Sequence, residues 1–532
     1  MQSKNTPTKG GLGAGLRVAF TVFALSFVPL ASAQDEAPAP EPEPAPAAEQ
    51  GAEGPEEASE LESMRRELQA LNQRLRAVEG SQEGTPAQAS AAPLDSSSVT
   101  FRRGTKDEGG GFVLEFAESM KLRFAGQIRW RGEYRGDRYS QPKGNSSTDF
   151  VLQRTRLTFA YDLSSQIGAK VTIQDSRRWG DKLDGLAGAR LDSDQPELML
   201  YEGYASLRNP FQVPLEIRVG RMEVPNLGDQ RLISSLDWGN VGRAFDGAQA
   251  IYTPKGWFMT AFAANLREGS ALPTPGDEND DVWMLGAYLS NRMIENHELD
   301  AFFYWRRIGD NKLGALTTDH TGDRGARKDY TVGARLKGEA GPLFYNGLLA
   351  YQFGQVAGDT IHAWASAVEV GAKFKFGDEQ QFKVSAEGAW SSGDPDSSDG
   401  RIETFDPLMP FAHFYNGHQD LFAWRNLYST NLKLAFWPMK GLSFHSDLHW
   451  FWLQRRDDSW YGLGFTRSDA TQVADNSNVG AEVDLYCKWN LFEGRLAFWA
   501  GYSHFFPGEY IRDTGSKSSD QSWAFFQATV SF

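Results

Sequence analysis

From Leu122 to the C-terminus, apolar and polar positions alternate with a period of two, the signature of strands wet on one face only. In 122–135 one face carries Leu122, Phe124, Gly126, Ile128, Trp130, Gly132 and Tyr134. The other carries Arg123, Ala125, Gln127, Arg129, Arg131, Glu133 and Arg135. The pattern repeats in about eighteen segments: 121–135, 150–162, 166–178, 198–208, 214–221, 246–253, 256–267, 281–290, 298–308, 329–337, 343–355, 361–375, 381–392, 425–437, 441–454, 478–489, 495–506 and 522–532. Several central segments, 246–253 above all, alternate poorly, which leaves the count open by two. Short connections (254–255, 338–342, 376–380, 438–440, 490–494) take turns with long ones (136–149, 179–197, 222–245, 268–280, 309–328, 393–424, 455–477, 507–521). Short turns at one end and long loops at the other predict an all-β, transmembrane antiparallel barrel of about 18 strands over 120–532. An even count puts both barrel ends on the short-turn, periplasmic side. Trp130, Tyr134, Phe159, Trp450, Trp489 and Phe532 sit where interfacial aromatics are needed. The terminal Phe532 also resembles the mark by which outer-membrane assembly machinery takes up barrels. A soluble sandwich or β-helix would need its second face covered, which faces this rich in Arg do not fit.

The N-terminal hundred residues read differently. Lys4, Lys9 and Arg17 precede an apolar stretch, Val18–Leu30, and a small-residue site, Ala31-Ser32-Ala33. Residues 1–33 are expected to be a signal peptide, with an uncleaved anchor as the alternative. Residues 34–57 form a Pro/Ala/Glu linker. Over 58–80, Leu61, Met64, Leu68, Leu71, Leu75 and Val78 make a short heptad seam. That helix would help a homo-oligomer held together elsewhere, or lie on the barrel or on a periplasmic partner. Residues 81–119 are linker leading into the barrel.

Composition narrows the classes. Hydrophobic residues are 40% and aromatics 13%, with no apolar run long enough for a spanning helix beyond the N-terminus. A single cysteine, Cys487, excludes a disulfide framework. The net charge of −15 argues against nucleic acid as a partner. Most of that acidity lies in 34–97, which holds 14 Asp/Glu against 4 Arg, so it says little about the barrel.

The wet faces carry the candidate chemistry. The first five strands offer Arg123, Arg129, Arg131, Arg135, Arg154, Arg156, Lys170, Arg178, Arg208 and Arg218 against Glu133, Asp162 and Glu202. Guanidinium groups stay charged and pair with carboxylate or phosphate, and rings of them select anions. The same pattern also suits the transverse field of a non-specific porin. His445, Asp447 and His449 share a face, but the outer two are roughly 13 Å apart along a strand and cannot bind one ion. No metal and no cofactor are expected. Serine-hydrolase, zincin and P-loop motifs are absent, so an enzyme is not expected. The aromatic stretch 405–428 leaves a surface adhesin open.

Three motifs carry a family resemblance. The first is Gly220-Arg221-Met222-Glu223, then Gly228-Asp229-Gln230-Arg231-Leu232-Ile233 and Asp237-Trp238-Gly239-Asn240-Val241-Gly242-Arg243-Ala244-Phe245-Asp246-Gly247. The second is Phe405-Asp406-Pro407-Leu408-Met409-Pro410 with His413 and Tyr415-Asn416-Gly417-His418-Gln419-Asp420, and the third Gln153-Arg154-Thr155-Arg156-Leu157. Together they resemble the alginate-export outer-membrane barrel family. The resemblance implies an eighteen-stranded monomeric barrel whose Arg-lined constriction passes a polyuronate. It puts Arg129, Arg154, Arg156, Arg231, Arg243, Asp237 and Asp246 at or near that constriction. The chain departs from the family in its 34–97 segment, which looks like the N-terminus of some trimeric porins. The expected partners are therefore anionic polysaccharide or small anions, outer-membrane lipid and lipopolysaccharide, and the assembly machinery. The expected anion-binding residues are Arg123, Arg129, Arg131, Arg154, Arg156, Lys170, Arg218, Arg231 and Arg243. Arg221, Arg231 and Arg243 share their loop with Glu223, Asp229, Asp237 and Asp246, so a stapled, inward-folded loop is the alternative role for some of these charges. Asp229, Asp237 and Asp246 are the loop-structuring acids of that reading.

Overall fold

The computed structural model describes residues 100–104, 111–117, 120–136, 147–179, 197–266, 282–309, 314–377, 379–463, 466–467, 475–514 and 519–532. The expected signal peptide, Pro-rich linker and heptad helix lie outside the described residues.

Eighteen antiparallel strands close into one barrel: β1 (Met120–Gly136), β2 (Thr148–Asp162), β3 (Ile167–Trp179), β4 (Glu197–Arg208), β5 (Leu215–Glu223), β6 (Ala244–Tyr252), β7 (Trp257–Asn265), β8 (Val282–Asn291), β9 (His297–Ile308), β10 (Arg327–Ala340), β11 (Leu343–Val356), β12 (Asp359–Lys375), β13 (Gln381–Ser391), β14 (Leu427–Met439), β15 (Leu442–Leu453), β16 (Asn478–Leu491), β17 (Leu496–Pro507) and β18 (Gln521–Ser531). Each pairs with its neighbours in sequence, and β18 closes on β1 from Ser522↔Gly136 to Ser531↔Gln127. Closure leaves none of the eighteen barrel strands at a free edge, as a lipid environment demands. At the seam Gly126 and Phe532 exchange backbone hydrogen bonds of 2.8 and 2.9 Å. β1 outruns β18, and its first residues pair instead with Phe112–Ala117, which pairs with Thr100–Arg103.

All eighteen expected segments coincide with a strand. The poorly alternating one is β6, and its reason is packing. Phe245 is buried on its inner face in an apolar cluster with Met222, Leu232, Ile233, Phe262 and Met284. A strand whose inner face meets protein rather than water has no need of polar alternation.

Eight inner-end turns are short and nine outer-end connections join the same strands. One outer connection, residues 357–358, is a two-residue turn with Ala357 at φ 48°. Outward-facing aromatics crowd both ends: Tyr134, Trp179, Trp283, Trp364 and Trp450 towards the loops, Phe159, Tyr252, Phe376, Phe444 and Trp489 towards the turns. These are the two girdles of a membrane barrel.

Candidate functional site

Two outer connections fold into the lumen. We call them L3 (residues 224–243) and L7 (residues 392–426). L3 is closed at its neck by Val224 N–H on the Arg243 carbonyl at 3.0 Å. Inside it, Arg243 N–H reaches Ser235 O at 2.8 Å, and Asn226 Oδ1 accepts from Ser235 N–H at 2.9 Å. Gly242 takes φ +81° where a Cβ would lie 2.7 Å from the Tyr201 hydroxyl and 2.8 Å from Arg156 Nη2. Glycine is needed there for both reasons. Val224, Leu227, Leu232 and Ile233 drive the loop inward by joining the apolar cluster lined by β5–β9 and β11–β13. Such burial inside a barrel turns part of the lumen into a core.

L7 meets L3 edge to edge. Ser234 N–H donates to Met409 O at 2.9 Å, Met409 N–H to Leu232 O at 2.8 Å and Phe411 N–H to Gln230 O at 2.8 Å. Arg243 Nη1 adds a bond to Pro410 O at 2.8 Å. The joined loops reach walls on every side. Asp406 accepts from Arg306 on β9 at 2.6 Å, and its backbone exchanges bonds with Gln352 on β11. Three guanidinium groups, Arg306, Arg425 and Arg327, outweigh burial and hold the Asp406 carboxyl well below the usual range. Gln419 N–H binds Glu482 and His418 N–H binds Asp484, both on β16. Burial pushes the His418 imidazole down to about 3, so it stays neutral there. At the outer end of L7, burial first, then Asp458, Asp399 and Glu403, pushes the Asp394 carboxyl up to about 6.

The basic wall of β1 and β2 ends on one short stretch of L3. Arg129 donates to the carbonyls of Asp237 and Gly239, both at 2.7 Å, and Arg131 to that of Trp238 at 2.7 Å. Arg154 binds the Asp237 carboxylate at 2.8 Å and its carbonyl at 3.1 Å. Arg156 binds the same carboxylate at 3.1 Å and the Val241 carbonyl at 3.2 Å. Arg129, Arg131 and Arg154 are buried beneath the loop, whereas the Asp237 side chain is 59% exposed. Burial alone would raise the Asp237 carboxyl; Arg154, Arg129 and Arg156 together hold it below its ordinary value. Carbonyl oxygens fix Arg129 without cancelling its charge, whereas Arg131 also pairs with Glu133 at 2.8 Å and Arg154 and Arg156 with Asp237.

The remaining expected residues are placed as follows. Arg231 is fully buried, bonded to Glu387 on β13 at 2.7 Å, with Tyr415 4.3 Å from its Cζ. Asp229 accepts the Arg231 N–H at 3.0 Å within L3. Arg243 joins L3 to L7. Thus Arg231 and Arg243 take the staple role. Towards the turn end, Arg123 pairs with Asp162 at 3.1 Å, Lys170 with Glu202 at 2.7 Å and Arg218 with Glu216 at 2.9 Å. Asp246 does not join the loop network. It lies on the face of β6 opposite Phe245 and pairs with Arg221 at 2.9 Å, because it is one residue out of phase with the inward side chains.

Sequence reasoning passed over the aromatic side of the constriction. Trp238 stacks on His413 at 4.3 Å and meets Trp499 and Phe525 edge-on at 4.9 and 5.1 Å, with Arg131 Cζ 3.8 Å from its centroid. The run Phe411–Tyr415, inside the aromatic stretch 405–428, was the signal for it: four aromatic rings, His413 included, in five residues. A cavity of about 230 Å³ lies between Trp238, Phe411, Phe414 and Trp499 on one side and Arg129, Asp237 and Gln230 on the other.

With an eighteen-strand barrel and an inward Arg-rich L3 established, the sequence match is decisive: residues 120–525 fit the family described as alginate export. The chain belongs to the alginate export family. It is accordingly an outer-membrane channel, resident in the bacterial outer membrane, with its short turns periplasmic and its long loops outside. Similar solved structures include Pseudomonas aeruginosa OpdO (14% identity, TM-score 0.49, covering 77% of this chain and 97% of that one). OccK11 (OpdR) of the same organism follows at 13% identity and TM-score 0.47, covering 77% and 96%. OpdK with vanillate gives 14% and 0.45, covering 77% and 98%. No curated protein matches the chain.

Proposed function

We propose that this channel passes anionic solutes, acidic uronate-type polysaccharide or oligosaccharide foremost, through the constriction between L3, L7 and the β1–β2 wall. One observation carries the reading: Arg129, Arg131, Arg154 and Arg156 converge on residues 237–241, largely on uncharged carbonyls. A field of this sign inside a low-dielectric wall concentrates anions and repels cations. Transport is passive in this reading; a channel wall supplies selectivity, not chemistry. The 1–33 segment would direct export, and the 34–97 segment would lie in the periplasm, where its heptad could support an oligomer.

The test is the reversal potential of the purified protein in a planar bilayer under a KCl gradient, followed by addition of polyuronate. Anion preference with current block is expected. Anion preference without block would narrow the reading to a small-anion porin, and cation preference would overturn it.

A further inference from the structure

Arg306-Arg307 and Arg327-Lys328 are two basic pairs at the outer ends of neighbouring strands, β9 and β10. Strand alternation sends the members of each pair to opposite sides. Arg306 and Arg327 are buried in the lumen, where Asp329 and Asp406 hold them. Arg307 and Lys328 therefore face outward, directly opposite each other across the ladder. Like charges in such register destabilise a sheet. Neither forms an ion pair among the described residues. Other outward cations of the loop end do: Arg177 pairs with Asp175 at 2.7 Å and Arg221 with Asp246 at 2.9 Å.

The two cations belong to a row. One register line passes through Trp283, Arg307, Lys328, Gln355 and Thr360 on β8–β12. It ends at Arg401 of L7, where Arg401–Ile402 pairs in parallel with β12. Arg401 is exposed and likewise has no ion pair among the described residues. Three strand spacings, about 14 Å, separate it from Lys328. The carboxylates closest in the chain are taken: Asp329 by Arg306 and Arg327, Asp359 by the His320 N–H at 2.7 Å, and Asp399 by the Arg401 N–H at 2.9 Å. Two residues nearer the turns, Trp305, Tyr330 and Phe353 make the next line, the last two rings stacked at 5.1 Å. Such rings mark the boundary between acyl chains and headgroups. The basic row lies about 7 Å beyond them, at the depth of the outer-leaflet headgroups. The outer connection between β11 and β12 is the two-residue turn 357–358, so no long loop rises from those strands over the row.

We propose that Arg307, Lys328 and Arg401 form a docking site on the outside of the barrel for the phosphorylated sugar headgroup of one lipopolysaccharide molecule. Guanidinium and ammonium groups both bind phosphate. The opposed pair takes one phosphate between them, which relieves their repulsion, and Arg401 takes a second. Gln355 and Thr360, between the two, bond sugar hydroxyls. The acyl chains run down the apolar face past Trp305, Tyr330 and Phe353. A lipid headgroup fits better than a free anion, because the row faces lipid rather than the lumen and adjoins the aromatic line. Outer-leaflet lipid surrounds any such barrel; the unpaired row singles out β9–β12 as the face that holds a bound molecule. The site lies outside the pore, so it stands or falls apart from the cargo.

The experiment titrates the protein purified from outer membranes with diphosphoryl lipid A and counts bound lipid by native mass spectrometry. Wild type is compared with the double variant Arg307→Gln/Lys328→Gln, with Arg401→Gln and Arg307→Lys, and with a control, Lys255→Gln, in an exposed turn at the other end of the barrel. Each is checked for heat-modifiable migration as evidence of a folded barrel. The double variant is expected to raise the half-saturating lipid concentration at least tenfold and Arg401→Gln about threefold. Arg307→Lys and Lys255→Gln should stay within twofold of wild type. Lipid A stripped of its phosphates should bind wild type and the double variant equally weakly. Equal binding of diphosphoryl lipid A by wild type and the double variant would overturn the proposal. Should the double variant not fold, Arg401→Gln decides alone, and unchanged binding overturns the site. Displacement of the lipid by millimolar inorganic phosphate would make this a free-anion site, and a wild-type dimer abolished in the double variant would make it a contact between copies; either result overturns the proposal too.

Discussion

Arg231 and Glu387 meet at 2.7 Å with neither side chain exposed, one on L3 and the other 156 residues later on β13. This contact pins L3 to β13, six strands round the barrel from β1. Glu387 also accepts from Lys433 at 3.0 Å, so the two partners are unequal. Arg231→Met leaves Glu387 paired, whereas Glu387→Gln leaves two buried cations facing each other. Breaking a buried pair by removing one member costs about 3–5 kcal/mol, the lower end applying where a second partner remains. Glu387→Gln should therefore lower the thermal midpoint more than Arg231→Met. Both should raise single-channel conductance by freeing L3. Equal midpoints for the two variants and wild type would remove the pin.

Asp237 is the exposed carboxylate of the constriction, and Arg154 and Arg156 share its Oδ1. Asp237→Asn removes one negative charge beside the arginine cluster and keeps the backbone carbonyls that hold Arg129 and Arg131. Stability should fall by only about 1 kcal/mol, as expected for one part-exposed charged hydrogen-bond acceptor. The reversal potential under a KCl gradient should move further towards anion preference. An unchanged potential would mean that the local field is not set here.

The two ends of L7 should respond to pH in opposite directions. His418 has its pKa depressed, to about 3, so the stabilisation from keeping it neutral is complete above its ordinary value of 6.5. It is lost as pH falls from there towards 3. Asp394 has its pKa raised, to about 6. Its stabilisation is complete below the ordinary 3.8 and is lost as pH rises through 6. Between pH 6.5 and 4, hydrogen exchange corrected for intrinsic rate should accelerate in 413–420 on acidification and slow in 393–399. Parallel changes at both ends would contradict this assignment.

At the seam, Gly126 admits the ring of Phe532: a Cβ there would lie 2.3 Å from Phe532 Cζ. Gly126→Val must displace the terminal ring from beside Phe124, at 5.8 Å. The folded fraction recovered from outer membranes, read by heat-modifiable migration on gels, should fall severalfold. Gly132, whose Cβ position is open, is the control and should tolerate alanine.

The barrel was legible because lipid and water impose a two-residue period on the strands, and among the central segments that blurred it β6, packed on L3, did so most. Arg129, Arg131, Arg154 and Arg156 were visible as a basic face in the same way. That carbonyls of residues 237–241 cap them was not visible, because such contacts join positions some eighty to a hundred residues apart with no local pattern. Asp246 shows the limit of reading a motif as a unit: its neighbour Phe245 points inward, so it points out. The aromatic side of the site, Trp238 with Phe414 and Trp499, left only a composition signal in 411–415.

The central claim is passage of acidic sugar chains. Its most direct test is efflux from proteoliposomes holding the wild-type protein, loaded with fluorescently labelled uronate and glucan oligosaccharides of equal ring number. The uronate should leave several times faster than the glucan, and protein-free vesicles should retain both. Retention of the uronate while the glucan leaves, or release of both at one rate, would contradict an anion-selective polysaccharide channel.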